Sequence, residues 1–220
     1  MMNKINMKIV NFAIGLPKNM TYDNEKVMNT GICKDKVDEA FLTKEGFLGD
    51  GVGDLKHHGG FDRAVCVYPH EHYSLWEKEF NTSLPPAAFG ENLTVTNMLE
   101  QDVHIGDIFQ LGEAVIQITQ GRIPCDTINK RTNVQTLLKR IVETGYTGYL
   151  CRVLKEGSVM TNSKLELIER HSHQVSVLFG NQLYFHQPTN IEGIKKVLAV
   201  EELANRWREK LTNRLHNLSK

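Results

Sequence analysis

Lys56-His57-His58-Gly59-Gly60-Phe61-Asp62-Arg63-Ala64-Val65-Cys66-Val67-Tyr68-Pro69 is the stretch on which the fold turns. Residues 64–68 form an apolar, β-prone run stopped by Pro69, the signature of a buried strand. The half before it gathers cations, imidazoles and two glycines that let backbone N–H groups come close to a ligand. Such a loop suits an oxyanion or phosphate; taken only as spacing, it is equally a solvated turn leading into the strand. Adjacent histidines on an extended segment point to opposite sides, so His57 and His58 converge poorly on one metal ion.

Outward from this point the pattern stays β. Upstream, residues 7–13 are a short apolar run, and glycines then recur at 31, 46, 49, 51, 53, 59 and 60, too densely for helices. Downstream, Tyr73, Trp76 and Phe80 recur at helical spacing and predict a helix over 70–80. Residues 92–96, 107–111 and 114–119 read as strands, the last two joined by a tight turn at Leu111-Gly112-Glu113. A helix is predicted over 132–144, capped by Thr132 or Asn133, and closing strands over 149–153, 158–160 and 165–168. After Arg170 strand signals stop and three short amphipathic helices follow. Thr189 and Glu192 read as a capping box behind Pro188, and Leu203, Trp207 and Leu211 as an apolar stripe. The sequence therefore divides into residues 1–170, mainly β, and a helical unit at 171–220.

Charge excludes several function classes. The 220 residues carry 26 Lys/Arg and 26 Asp/Glu, which is no profile of a polyanion binder. Arg206, Arg208, Lys210 and Arg214 lend the tail a basic edge, but its small positive excess and lack of a clear recognition helix favour a packing or partner-docking bundle over a DNA-binding motif. The four cysteines, Cys33, Cys66, Cys125 and Cys151, form no CxxC or CxxH pair, which removes the usual zinc and thioredoxin readings. No 18-residue apolar run is present, and residues 1–6 lack an apolar signal core, so a cytoplasmic location is expected.

Gly121-Arg122-Ile123-Pro124-Cys125 reads as an irregular loop with an exposed thiol. Arg122 supplies a cation beside it, and a thiolate so supported suits a metal ligand or a sulfur acceptor. A buried, inert cysteine is the alternative. Cys66 and Cys151 alternate with apolar neighbours and read as structural. Phe89-Gly90-Glu91-Asn92-Leu93 is a glycine turn that either orients a ligand or caps a strand.

The chain resembles the MOSC domain family in its residues His58-Gly59-Gly60-Phe61-Asp62-Arg63-Ala64. Gly46-Phe47-Leu48-Gly49-Asp50, Phe89-Gly90-Glu91-Asn92-Leu93, Gly106-Asp107 and Arg122-Ile123-Pro124-Cys125 follow the family's order. Tyr68-Pro69-His70-Glu71-His72-Tyr73 and the helical tail are similar to its YiiM-like subgroup. The resemblance implies a β-barrel of mainly antiparallel strands followed by a small three-helix domain. It implies the molybdenum cofactor, a pterin, with Cys125 as molybdenum ligand or sulfur carrier. Pyridoxal phosphate is a further association of the family at large. Lys56, His58, Gly59, Gly60, Asp62, Arg63, Asn92, Arg122 and Lys34 are the cofactor-binding residues it implies. The activity implied is reduction of N-hydroxylated base analogues such as 6-hydroxylaminopurine, a detoxification. The chain has no GxGxxG fingerprint, so electrons are expected from a separate reductase. A persulfide carrier and a noncatalytic pterin-binding or docking module are the competing readings. Relatives often place proline where this chain has Gly121, so a more flexible loop is expected here.

Overall fold

The computed structural model describes residues 6–23, 25–53 and 59–219. An eight-stranded sheet curls into a half-barrel. In chain order its strands are β1 (Lys8–Ile14), β4 (Asp35–Lys36), β7 (Val65–Pro69), β8 (Leu93–Thr96), β9 (Ile108–Leu111), β10 (Ala114–Gly121), β11 (Tyr149–Lys155) and β13 (Leu165–Glu169). Across the sheet they run β13-β9-β10-β11-β7-β8-β1-β4. Smaller sheets hold β2 (Lys18–Tyr22) with β3 (Lys26–Thr30), and β12 (Gly157–Met160) with β5 (Glu39–Thr43) and β6 (Gly46–Phe47). The pairings are antiparallel except β7 with β8. Helix α1 (Glu71–Phe80) connects those two parallel strands, as a crossover must.

Alternation decides which side chains enter the core. Val65 and Val67 are buried on one face of β7, so Cys66 between them faces the other way. The β9–β10 turn forms as predicted, with Leu111 opposite Ala114 and Gly112 at φ 59°. The helix predicted over 132–144 is instead two: α2 (Thr127–Thr132) and α3 (Leu137–Thr144). Thr132 ends the first, donating its hydroxyl to the Ile128 carbonyl, and Asn133 adopts the left-handed φ of 56° that terminates it.

The tail forms α4 (Val177–His186), α5 (Ile191–Leu198) and α6 (Asn205–Leu218). The cap of α5 is Asn190, whose side chain accepts Gly193 N–H, rather than Thr189. Leu203, Trp207 and Leu211 are buried, as their spacing requires, in one cluster with the half-barrel's Phe109, Ile116 and Ile118. Two members of the basic edge, Arg208 and Arg214, are half-buried and turn to backbone carbonyls, while Arg206 and Lys210 are exposed. Arg208 donates to the Leu198 carbonyl at 3.0 Å and the Glu201 carbonyl at 3.2 Å, and Arg214 to the Tyr184 carbonyl at 3.3 Å. These cations satisfy carbonyls at and beyond the C-terminal ends of the preceding helices. No helix among the described residues is long and apolar enough to cross a membrane.

Gly121 is where tail and barrel meet most closely. It is the last residue of β10 and pairs with Tyr149. A Cβ there would stand 1.6 Å from Asn181 Oδ1 of α4. The expected flexibility is therefore absent: this position sits in a ladder and has no room for a side chain. Gly121→Ala is expected to lower stability by about 1–3 kcal/mol through overpacking. In urea denaturation its loss and that of Asn181→Ala should be less than additive. Parental stability in Gly121→Ala would contradict the close approach.

Candidate functional site

The end of β10 places Arg122, and the loop that follows places Cys125 two residues before α2. Arg122 N–H donates to the Gly148 carbonyl at 3.0 Å. The guanidinium reaches inward, and its Nη1 is buried with no hydrogen-bond partner among the described residues. Burial disfavours its charge, yet Cys66, Cys125 and Glu91 act strongly enough the other way to raise its pKa. Two sulfurs, one on β7 and one on the loop after β10, thus act electrostatically on one guanidinium. Cys125 is partly exposed, and its loop location is as expected.

Cys66, expected to be structural, lies within electrostatic reach of Arg122. Its surface is partly open, but the surrounding protein pushes the thiol pKa up by burial. Arg122 opposes the rise, Glu91 adds to it, and Lys34 and Asp50 act in opposite directions. The alternating pattern was the available signal: the residue between Val65 and Val67 must leave the core. Cys151 and Cys33 are buried, and burial holds Cys151 well above the ordinary thiol range.

A buried polar chain lies alongside. Lys34 is ion-paired with Asp50. Asp50 also accepts Gly15 N–H at 2.8 Å and the Asn92 amide at 2.9 Å. Asn92 in turn accepts Cys66 N–H at 3.0 Å. Lys34 and Asn92 therefore brace the strand that carries Cys66, and Asp50 is the hub that the sequence reading left out of the site. Glu91 is fully buried and accepts Thr94 Oγ1–H at 2.7 Å and Phe89 N–H at 3.2 Å, so this turn's acid caps a strand.

The glycine loop is engaged with the tail. Gly60 has φ 113° and its carbonyl accepts Arg63 N–H at 2.8 Å. Arg63 donates to the Gly59 carbonyl. Its pKa is lowered by burial and by the proximity of Arg206 on α6, against the pull of Asp62. Asp62 pairs with Arg152 at 2.8 Å and accepts Asn205 N–H at 2.9 Å, which ties the loop to the start of α6. Lys56 and His58 lie outside the described residues. Two cavities open elsewhere: one of about 170 Å3 beside His72 and Glu100, and one of about 910 Å3 between residues 6–9 and 161–167.

The donor set at Arg122 and Cys125 fits an anionic group that also takes one thiolate. A guanidinium nitrogen buried without a partner calls for an acceptor. A partly exposed sulfur leaves a coordination or transfer position open. Among the described residues no cluster of three or more His, Cys, Asp or Glu could hold a metal ion by itself.

Alkylation with iodoacetamide at mild pH, followed by peptide mass mapping, should label Cys125 first. Cys66 should follow only as pH rises past the ordinary thiol range, because its raised pKa delays thiolate formation. Cys33 and Cys151 should react after unfolding. Equal rates at Cys66 and Cys125 at mild pH would contradict the geometry.

Comparison with known proteins agrees with this architecture. The MOSC domain model matches residues 54–166, and the model of the YiiM-like 3-alpha helix domain matches residues 175–218. Protein YflK of Bacillus subtilis is 43% identical over 91% of this chain and 90% of its own. A protein named "Reductase" from Gibberella moniliformis is 39% identical over 63% of this chain, but over 25% of its own length. The crystal structure of YiiM from Geobacillus stearothermophilus superimposes with a TM-score of 0.80 at 32% identity, covering 95% of this chain and 99% of that one.

Proposed function

The chain belongs to the MOSC domain family, in the YiiM-like group that carries a C-terminal three-helix domain, and from that premise we propose that it is a molybdenum cofactor-dependent reductase of N-hydroxylated compounds. The observation that supports this most is the buried, unpartnered Nη1 of Arg122 beside the partly exposed Cys125. Arg122 would meet an anionic oxygen of the cofactor with a charge-assisted hydrogen bond. Cys125 would hold the metal through its thiolate, with Arg122 compensating that negative charge. Lys34, Asp50 and Asn92 would keep β7 in register, and with it Cys66 on the far side of the guanidinium. Gly59, Gly60 and Arg63 would border the site from the side braced by the tail. The cofactor so held would supply two-electron chemistry.

Electrons would come from a partner. This chain has no dinucleotide fingerprint, and the longer relative named "Reductase" carries its matching segment within a larger protein.

Protein purified from a molybdenum-replete host should contain stoichiometric molybdenum by elemental analysis, and Cys125→Ser should lose it together with N-hydroxy reduction by a supplied reductase. Arg122→Ala should retain about a tenth of the bound pterin. A persulfide on Cys125 without molybdenum would favour the sulfur-carrier reading instead. Cofactor occupancy and reduction both intact in Cys125→Ser would refute the proposal.

A further inference from the structure

Behind the Arg122 loop lies a buried polar pair that this chemistry does not use. His72 on α1 and Glu100 on the β8–β9 connection have side chains 5% and 1% exposed, with Nε2 2.7 Å from Oε2. A carboxylate only accepts, so Nε2 carries the hydrogen. The other carboxylate oxygen accepts Gly148 N–H at 2.8 Å. Gly148 passes the connection on: its carbonyl accepts Arg122 N–H at 3.0 Å.

Gly148 is tightly held. Its φ is 71°, and a Cβ there would stand 2.5 Å from the Val67 carbonyl oxygen and 2.8 Å from the Tyr68 ring. Here β11 approaches β7 so closely that only glycine fits. Glu100 meets the N–H of that residue. The imidazole is fixed as well, stacking on the Tyr146 ring at 4.3 Å and 8°. The Tyr146 carbonyl accepts Tyr68 O–H at 3.2 Å, and the Tyr68 oxygen accepts Trp76 Nε1–H at 2.8 Å. Helix α1 is thereby joined to residues 146–148 by side chains with defined directions. A buried ion-competent pair adds little net stability over apolar residues of equal size. What it adds here is an orientation for Gly148.

We propose that His72 and Glu100 are positioning residues for Arg122: they fix Gly148, and through it the point and direction at which the Arg122 side chain leaves the backbone toward an anion beside Cys125. The inference rests on the reading of Arg122 as the anion-binding residue. Neither residue touches the ligand. Their effect is transmitted through two hydrogen bonds on one glycine, on the scale known for groups that orient ligand-binding side chains.

The test uses the full chain with inorganic phosphate as probe. Titration calorimetry gives the affinity, nitrogen-15 NMR follows the Arg122 Nε resonance without phosphate, and a thermal melt reports folding. Glu100→Gln sets an amide against the His72 donor. His72→Phe keeps an aromatic face on Tyr146 but removes the donor. Each should weaken phosphate binding about tenfold and displace the Arg122 resonance. A lower melting temperature with affinity and resonance unchanged would overturn the positioning role and leave a purely structural pair. If His72→Phe fails to fold, Glu100→Gln decides alone. Arg122→Gln is the control for the underlying reading. If the parent protein binds no phosphate, or binds it as tightly after Arg122→Gln, the anion site itself is wrong and the pair's role falls with it.

Discussion

A guanidinium with one buried nitrogen unmet among the described residues is the constraint around which the functional half of this fold is arranged. Burying that charge is expensive unless compensating charge and hydrogen bonds surround it. Glu91 supplies charge of the opposite sign here, and together with Cys66 and Cys125 it acts to raise the Arg122 pKa despite burial, although burial keeps Cys66 itself protonated. The backbone that delivers the guanidinium is correspondingly rigid. Gly121 is pinned between the β10–β11 ladder and Asn181, and Arg122 N–H is held by the Gly148 carbonyl. A loosely held arginine would turn to solvent and leave the two sulfurs without a cation.

The three-helix tail takes part in this arrangement. Its α4 supplies Asn181 against Gly121, and the first backbone N–H of α6 binds Asp62 of the glycine loop. Val177, Leu183, Ile194 and Trp207 lie in the same apolar cluster as the strands. The tail's arginines fasten helix to helix through backbone carbonyls.

Elements with strong periodicity were legible in the sequence. The strand around Val65, the α1 face of Tyr73 and Trp76 and the Leu203-Trp207-Leu211 stripe all follow from spacing, because burial of one face dictates it. Local chemistry was harder to read. Thr132 and Asn133 look like caps opening a helix and instead close one, since residues 127–132 form their own short helix first. Thr189 yielded the cap of α5 to Asn190. In the candidate site, Arg122 and Cys125 stood out as a cation and a thiol on a broken loop. Asp50 and Cys66 did not, because their partners Lys34, Asn92 and Arg122 are brought to them from distant segments. Gly121 suggests freedom by its residue type but marks contact in the fold, a distinction made only by Asn181 sixty residues downstream.

Two thiols beside one arginine pose the sharpest question about the chemistry, namely which sulfur binds. X-ray absorption at the molybdenum edge answers it on loaded protein. Cys66→Ser should load metal with the parent's sulfur count, whereas Cys125→Ser should fail to hold metal, as the loss of a ligand requires. A sulfur count unchanged by the loss of Cys125, or reduced by the loss of Cys66, would contradict the assignment of Cys125 as the ligand that Arg122 supports.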